Sequence, residues 1–113
     1  MKGISKEWTG AAAMPIVLLT LSSSDSYGYE IVQNVKRISD GSIKLKEASI
    51  YPVLKKLEKE GLIRSYWKVE DKERPRKYYT ILDEGKKQLV IQLAELKLIN
   101  KIFDQLLDGQ KVD

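Results

Sequence analysis

The chain has 113 residues, no cysteine, no histidine, and 20 Lys and Arg against 16 Asp and Glu, for a formal net charge of +4. That length supports one small domain with a real core and at most an appended helix. Without cysteine there is no disulfide framework and no thiolate chemistry; without histidine the commonest general base and transition-metal ligand are missing, which argues against hydrolase and zinc readings.

The first element is a helix from about Lys6 to Leu21, alanine-rich at first and then apolar on nearly every side, a pattern expected of burial from more than one direction. Pro15 removes one internal hydrogen bond and should bend the helix or start its tight part there. Trp8 precedes the core run, as a cap over the core or as an aromatic wall of a pocket or subunit contact. The apolar run Met14 to Leu21 is too short to span a bilayer. Pro15 within it and Glu7 and Trp8 before it argue against a secretory signal, so a cytoplasmic protein with no membrane partner is expected.

Ser22 to Ser26 is a polar break in which Asp25 or Ser26 is placed to cap a second helix, about Tyr27 to Ser39, with Ile31, Val35 and Ile38 facing inward. Asp40-Gly41 ends it. Ser42 to Leu45 is short and alternating and reads as a small strand pairing with a later hairpin. A third helix follows from about Lys46 to Glu60, with Ile50, Val53, Leu54 and Leu57 on one side and Ala48, Pro52, Lys55 and Lys59 opposite, flanked by Ser49 and Lys56. Pro52 should distort its first turn, and Gly61 stops it.

Two segments rich in aromatic and β-branched residues, Ile63 to Val69 and Arg76 to Leu82, flank the charged tip Glu70-Asp71-Lys72-Glu73-Arg74-Pro75 and read as a hairpin. Alternation sets Tyr78 and Tyr79 on opposite faces, so that only one can be core. Asp83-Glu84-Gly85 then opens a last helix reaching about Leu107. Leu89, Leu93, Leu96, Asn100, Phe103 and Leu107 form a heptad-like seam with one polar place, and Ile91, Leu98, Ile99, Ile102 and Leu106 add a second apolar stripe. One stripe can pack on the domain and the other on a second copy of the chain.

Helix, helix, lysine-faced helix and charged hairpin make the outline of a winged helix-turn-helix: an α+β fold, mainly α. Residues 1–82 would be the DNA-binding domain and 83–113 an added C-terminal dimerisation helix and tail. Such a fold sets one helix in the major groove while the wing and helix ends touch phosphates. The basic excess agrees: residues 47–82 carry nine basic and six acidic side chains, whereas residues 83–113 carry five and six. Ser49, Pro52 and Lys55 are the candidates for base edges, Tyr51 for a phosphate, and Lys56 and Lys59 complete the cationic face. On the wing, Lys72, Arg74, Arg76 and Lys77 are diluted by Glu70, Asp71 and Glu73, so a few selective phosphate contacts are expected. Glu58 and Glu60, two apart on a helix, do not face the same way, and no nucleophile has a base beside it. No enzyme activity, metal or cofactor is expected.

The chain resembles the PadR family of bacterial transcriptional regulators, in its short, multidrug-sensing type. Tyr27-Gly28-Tyr29-Glu30, the run from Glu47 through Tyr51-Pro52-Val53-Leu54 to Gly61-Leu62-Ile63, Ser65-Tyr66-Trp67 and Arg74-Pro75-Arg76-Lys77-Tyr78-Tyr79 carry the resemblance. It implies an N-terminal winged helix, a homodimer made by exchange of the C-terminal helix, and repression at a palindromic operator on double-stranded DNA. By position it sets Ser49, Tyr51, Pro52, Lys55 and Lys56 at the groove, Arg74, Arg76 and Lys77 on the wing, and Tyr27 near phosphate. In multidrug-sensing members a pore lined by the first and last helices holds an aromatic from the last helix; the matching position here is Leu96, and Trp8 offers an aromatic from the other helix. The implied pocket for a small hydrophobic ligand comprises Trp8, Ala12, Leu93, Leu96 and Asn100. The implied function is a homodimeric repressor of a transporter or stress-response gene, relieved by such a ligand. The alternative is a ligand-sequestering or protein-interaction module on the same scaffold without sequence-specific DNA binding.

Overall fold

The computed structural model describes residues 3–109. Ser5 starts the first helix, α1 (Lys6–Ser23), by accepting a hydrogen bond from the Trp8 backbone N–H, and the helix runs unbroken through Pro15. Ala13, Val17, Leu18 and Leu21 are its buried residues, whereas Leu19 and Trp8 are exposed, so one chain buries one side of α1 and leaves another bare. A short strand β1 (Ser26–Tyr27) leads into α2 (Gly28–Ile38), and α3 (Glu47–Lys59) follows. The hairpin is β2 (Ile63–Lys68) and β3 (Arg76–Ile81), and α4 (Asp83–Asp108) completes the described chain.

Helices α2 and α3 stop by the same chemistry. At the end of α2, Asp40 and Gly41 take positive φ and their N–H groups donate to the carbonyls of Arg37 and Lys36; at the end of α3, Gly61 takes φ +76° while Gly61 and Leu62 donate to Glu58 and Leu57. These paired bonds satisfy carbonyls the helix leaves open and turn the chain sharply. Ile31, Val32 and Val35 of α2 and Ile50, Leu54 and Leu57 of α3 then meet Val17, Leu18 and Leu21 of α1 in one core, which Leu45, Ile63, Tyr79 and Leu89 complete. Each fully buried leucine contributes roughly 1.5–3 kcal/mol over an exposed one.

The sheet has the order β1-β3-β2, antiparallel throughout. Its third strand is Ser26–Tyr27 and not the expected Ser42 to Leu45. The edge of β3 is occupied by β1, and Ser42 to Leu45 is held elsewhere: Ser42 accepts from the Ile4 N–H, and the Ser39 hydroxyl accepts from the Ile43 N–H. The same pairing corrects the expected cap of α2. With Ser26 and Tyr27 extended, Tyr27 is the N-cap residue and makes no side-chain cap bond, Ser26 donates its hydroxyl to Glu30, and Asp25 turns to Tyr66. Ile38, expected inward, is 76% exposed, because α2 is already ending there.

Two glycines are set by close approach. A β-carbon on Gly85 would lie 2.1 Å from the Leu62 carbonyl oxygen and 2.8 Å from Ile81 Cγ1, so the first turn of α4 fits against the start of β2 only as glycine. A β-carbon on Gly28 would meet the Tyr51 ring at 3.0–3.1 Å, which seats that ring over the first turn of α2.

Candidate nucleic-acid interface

With Ile50, Leu54 and Leu57 wholly buried, the helical period turns Ser49, Tyr51, Pro52, Lys55, Lys56 and Lys59 outward, and all six are exposed. Pro52 has no N–H to donate to the Ala48 carbonyl four residues back. In the first turn Ser49 N–H bonds Lys46 at i−3 beside the ordinary Ile50 to Lys46 bond, a local tightening. Among the described residues none of these three lysines is ion-paired. The C-terminal half of α3 is tied down: the Ser65 hydroxyl donates to Glu58 at 2.5 Å.

The hairpin register places paired residues on a common face. Ser26, Ser65 and Tyr79 share the inner face; Tyr27, Tyr66 and Tyr78 share the outer one. Tyr79 joins the main core. Tyr78 is buried as well, correcting the expectation of a single core tyrosine, because a second aromatic layer covers the outer face. The Tyr27 and Tyr78 rings meet edge to face at 5.1 Å, Tyr66 stacks on Tyr78 at 5.9 Å, Lys68 Nζ sits 4.9 Å from the Tyr78 centroid and the Arg76 guanidinium 4.6 Å from that of Tyr27.

The Tyr66 hydroxyl donates to Asp25 Oδ2 at 2.6 Å, joining the wing to the segment between α1 and α2. That bond holds the Asp25 carboxyl below the usual aspartate range and the Tyr66 phenol above its own. Burial first, and then its bond to Glu70, pushes the Tyr78 phenol up. Glu70 is held low by Lys68, 3.2 Å away, and then by Tyr78.

On the wing, Lys72, Arg74, Arg76 and Lys77 are all exposed. Asp71 at the tip takes φ +55°, and Glu73 N–H closes the turn on the Glu70 carbonyl. Arg76 lies 3.9 Å from Glu73, a loose surface pair that a phosphate can displace at small cost. Lys77 hovers 5.9 Å from the Tyr79 ring. Tyr27 is half-buried and its ring is committed to Tyr78 and Arg76. That Tyr27 joins this layer escaped sequence reasoning, because nothing local marks Ser26–Tyr27 as a strand.

The residues of the expected dimer seam and ligand pocket are dispersed in one chain. Leu89 is buried in the domain core and Leu93 packs against it, whereas Leu96, Asn100, Phe103 and Leu107 are exposed. Trp8 is 63% exposed and Ala12 is half-buried. Cavities of about 560 and 340 Å³ occur on the surface, and none of Trp8, Ala12, Leu93, Leu96 and Asn100 lines them. No helix among the described residues is long and apolar enough to cross a membrane.

The family model described as the transcriptional regulator PadR-like family matches residues 17–90, from α1 through the wing into the start of α4. The chain belongs to the PadR-like family. It is therefore a winged-helix, DNA-binding transcriptional regulator, of a kind that is generally not an enzyme. A transcriptional regulator of Clostridium thermocellum superimposes with a TM-score of 0.83 at 34% identity, covering 92% of this chain and 98% of that one. A PadR family transcription regulator of hypervirulent Clostridium difficile gives 0.73 at 35% identity over 85% and 98%. A protein of Lysinibacillus sphaericus described as uncharacterized protein X is 34% identical over 94 residues, 83% of this chain and 86% of that protein. The match to the PadR-like model ends where the exposed part of α4 begins.

Proposed function

We propose that this PadR-like regulator acts as a homodimeric repressor. Residues 1–82 form its DNA-binding unit and residues 83–113 its dimerisation helix and tail, of which 110–113 lie outside the described residues. The observation that carries this reading is the bare length of α4. The helix has 26 residues, about 39 Å, with only Gly85 and Leu89 buried. Val90, Ile91, Leu98, Ile102, Phe103 and Leu106 are each 46–68% exposed. A helix so apolar on two sides is stable in water only when covered, and a second copy offers the same stripes in return. The Gln92 Oε1 atom, buried without a partner among the described residues, lies on the same helix.

Pairing through Leu93, Leu96, Asn100, Phe103 and Leu107 sets two copies of α3 at a fixed spacing, so that Ser49, Pro52 and Lys55 of each read the two halves of a palindromic operator about one helical turn, roughly 34 Å, apart. Tyr27, Tyr51, Lys56 and Lys59, with Lys72, Arg74, Arg76 and Lys77 of the wing, hold the phosphates. Between the two copies, Trp8 and Ala12 of α1 and Leu93, Leu96 and Asn100 of α4 enclose a small hydrophobic ligand that relieves repression of a transporter or stress-response gene. Titrating labelled promoter duplex at two salt concentrations tests the reading. Tight binding to one promoter segment over random duplex, with a steep salt dependence, is expected; equal binding to both duplexes contradicts it.

A further inference from the structure

Beyond the reading surface and the subunit seam, the larger of the two cavities described above, about 560 Å³, lies between the start of α1, the α2–α3 connection and the first turns of α3. Its floor is apolar: Ala13, Leu45 and Ile50 are buried, and Val53 is packed against the same core. Its rim is cationic, with Lys6, Lys44 and Lys46, and no carboxylate lines it among the described residues. None of the three lysines is ion-paired there. Thr9, Ser42 and Ser49 add hydroxyls. The outer edge is closed by the segment before α1, where Ile4 N–H donates to the Ser42 carbonyl at 2.8 Å and a β-carbon on Gly3 would stand 3.1 Å from the same oxygen.

An apolar floor and an acid-free cationic rim match an amphiphile with a negative head. The three rim lysines are exposed and solvated, so a neutral apolar ligand gains nothing from them, and a bare inorganic anion would leave the floor wet. We propose that this cavity is a binding site for a small organic anion, an aromatic or aliphatic body carrying one carboxylate or phosphate group. The body lies on Ala13, Leu45, Ile50 and Val53, and the head is held by Lys44 and Lys46 with Lys6 across from them. Gly10 lines the cavity with open space around its α-carbon, so the absence of a side chain keeps the site empty enough for the body.

The position makes the site consequential. Lys46 is the N-cap residue of α3 and Ser49 is in its first turn, so an anion bound here touches the helix that faces DNA and the connection that aims it. It is also separate from the pocket proposed between two copies, since Thr9, Gly10 and Ala13 lie on a different side of α1 from Trp8 and Ala12.

Titration of the 15N-labelled full chain with 4-phenylbutyrate and, separately, with its neutral counterpart 4-phenyl-1-butanol tests the proposal by the amide shifts. Saturable shifts gathered at Gly10, Leu45 and Ser49 are expected for the carboxylate, with the alcohol at least about tenfold weaker. Lys44→Ala with Lys46→Ala, both surface changes, should weaken the carboxylate about tenfold, and Gly10→Leu should abolish the shifts by filling the space. Equal binding of the alcohol, indifference to the lysine pair, or shifts gathered on α4 and Trp8 would each overturn the site. So would the lack of any saturable shift together with a loss of duplex affinity in the lysine pair, which would assign these cations to the DNA backbone.

Discussion

The two ends of this chain treat apolar surface in opposite ways. In the domain, Ile50, Leu54 and Leu57 of α3 are wholly buried and the helix offers solvent its lysines and polar groups; in α4 beyond Leu93, apolar side chains stand exposed on two sides of a helix that the domain no longer supports. The first region is a finished surface that meets a charged polymer. In the proposed homodimer the second is half of an interface. On that proposal the two regions draw their stability from different sources: the domain from its own packing, the arm from a partner.

The sharpest way to probe that contrast is at the joint between the two regions. Gly85→Ala drives a methyl into the Leu62 carbonyl, and a loss of about 3 kcal/mol is expected, read as a urea midpoint below that of the native protein when the two are compared at the same protein concentration. Farther along, Leu96→Glu with Phe103→Glu, both at exposed positions, should leave the hairpin and core intact and weaken self-association at least about a hundredfold, ~2.7 kcal/mol, seen as monomers by sedimentation. An unchanged dimer would mean that the seam is elsewhere on α4.

Smaller effects are expected on the finished surface. Lys55→Ala should lower affinity for the specific duplex by about 1–3 kcal/mol and relax preference at one base pair, whereas Lys72→Ala should weaken all duplexes alike and reduce the salt slope by about 1. Mobility-shift titrations across a salt series separate the two. The smallest change is Tyr66→Phe, which removes the bond to Asp25. In the folded protein Asp25 is held low, so its contribution is present above its unfolded value and is lost as pH falls through the folded one. Tyr66 and Tyr78 are held high, so theirs is present below the usual phenol range and is lost as pH rises through the folded values. Urea midpoints measured across pH should fall at both extremes in the native protein and fall less steeply in Tyr66→Phe.

Much of the domain was legible because its signals are periodic or local. Ile50, Leu54 and Leu57 repeat at helical spacing, and Gly61 supplies a positive φ that few other residues tolerate, so α3 and its stop follow from the sequence. The winged outline and the PadR-like resemblance rested on those features, and the family match agrees with them. The third strand was not legible. Two residues carry no alternation to detect, and what fixes Ser26–Tyr27 beside β3 is the distant packing of the Tyr27 ring on Tyr78. Ser42 to Leu45 had the alternation but no free strand edge. The reason for Gly28, the Tyr51 ring, lies on another helix and leaves no local signal. In the seam, Leu89 has the heptad spacing of its neighbours, yet it belongs to the core, since period alone does not tell which side of a helix meets its own domain.

The central claim is that two reading surfaces act together because the bare arm of α4 joins them. Sedimentation of the full chain with a labelled duplex from its own promoter, for the native protein and for the Leu96→Glu, Phe103→Glu variant, tests it most directly. Two chains per duplex are expected for the native protein, and at least about a tenfold loss of duplex affinity for the folded monomeric variant. One chain per duplex, with the monomeric variant binding as tightly as the native protein, would contradict it.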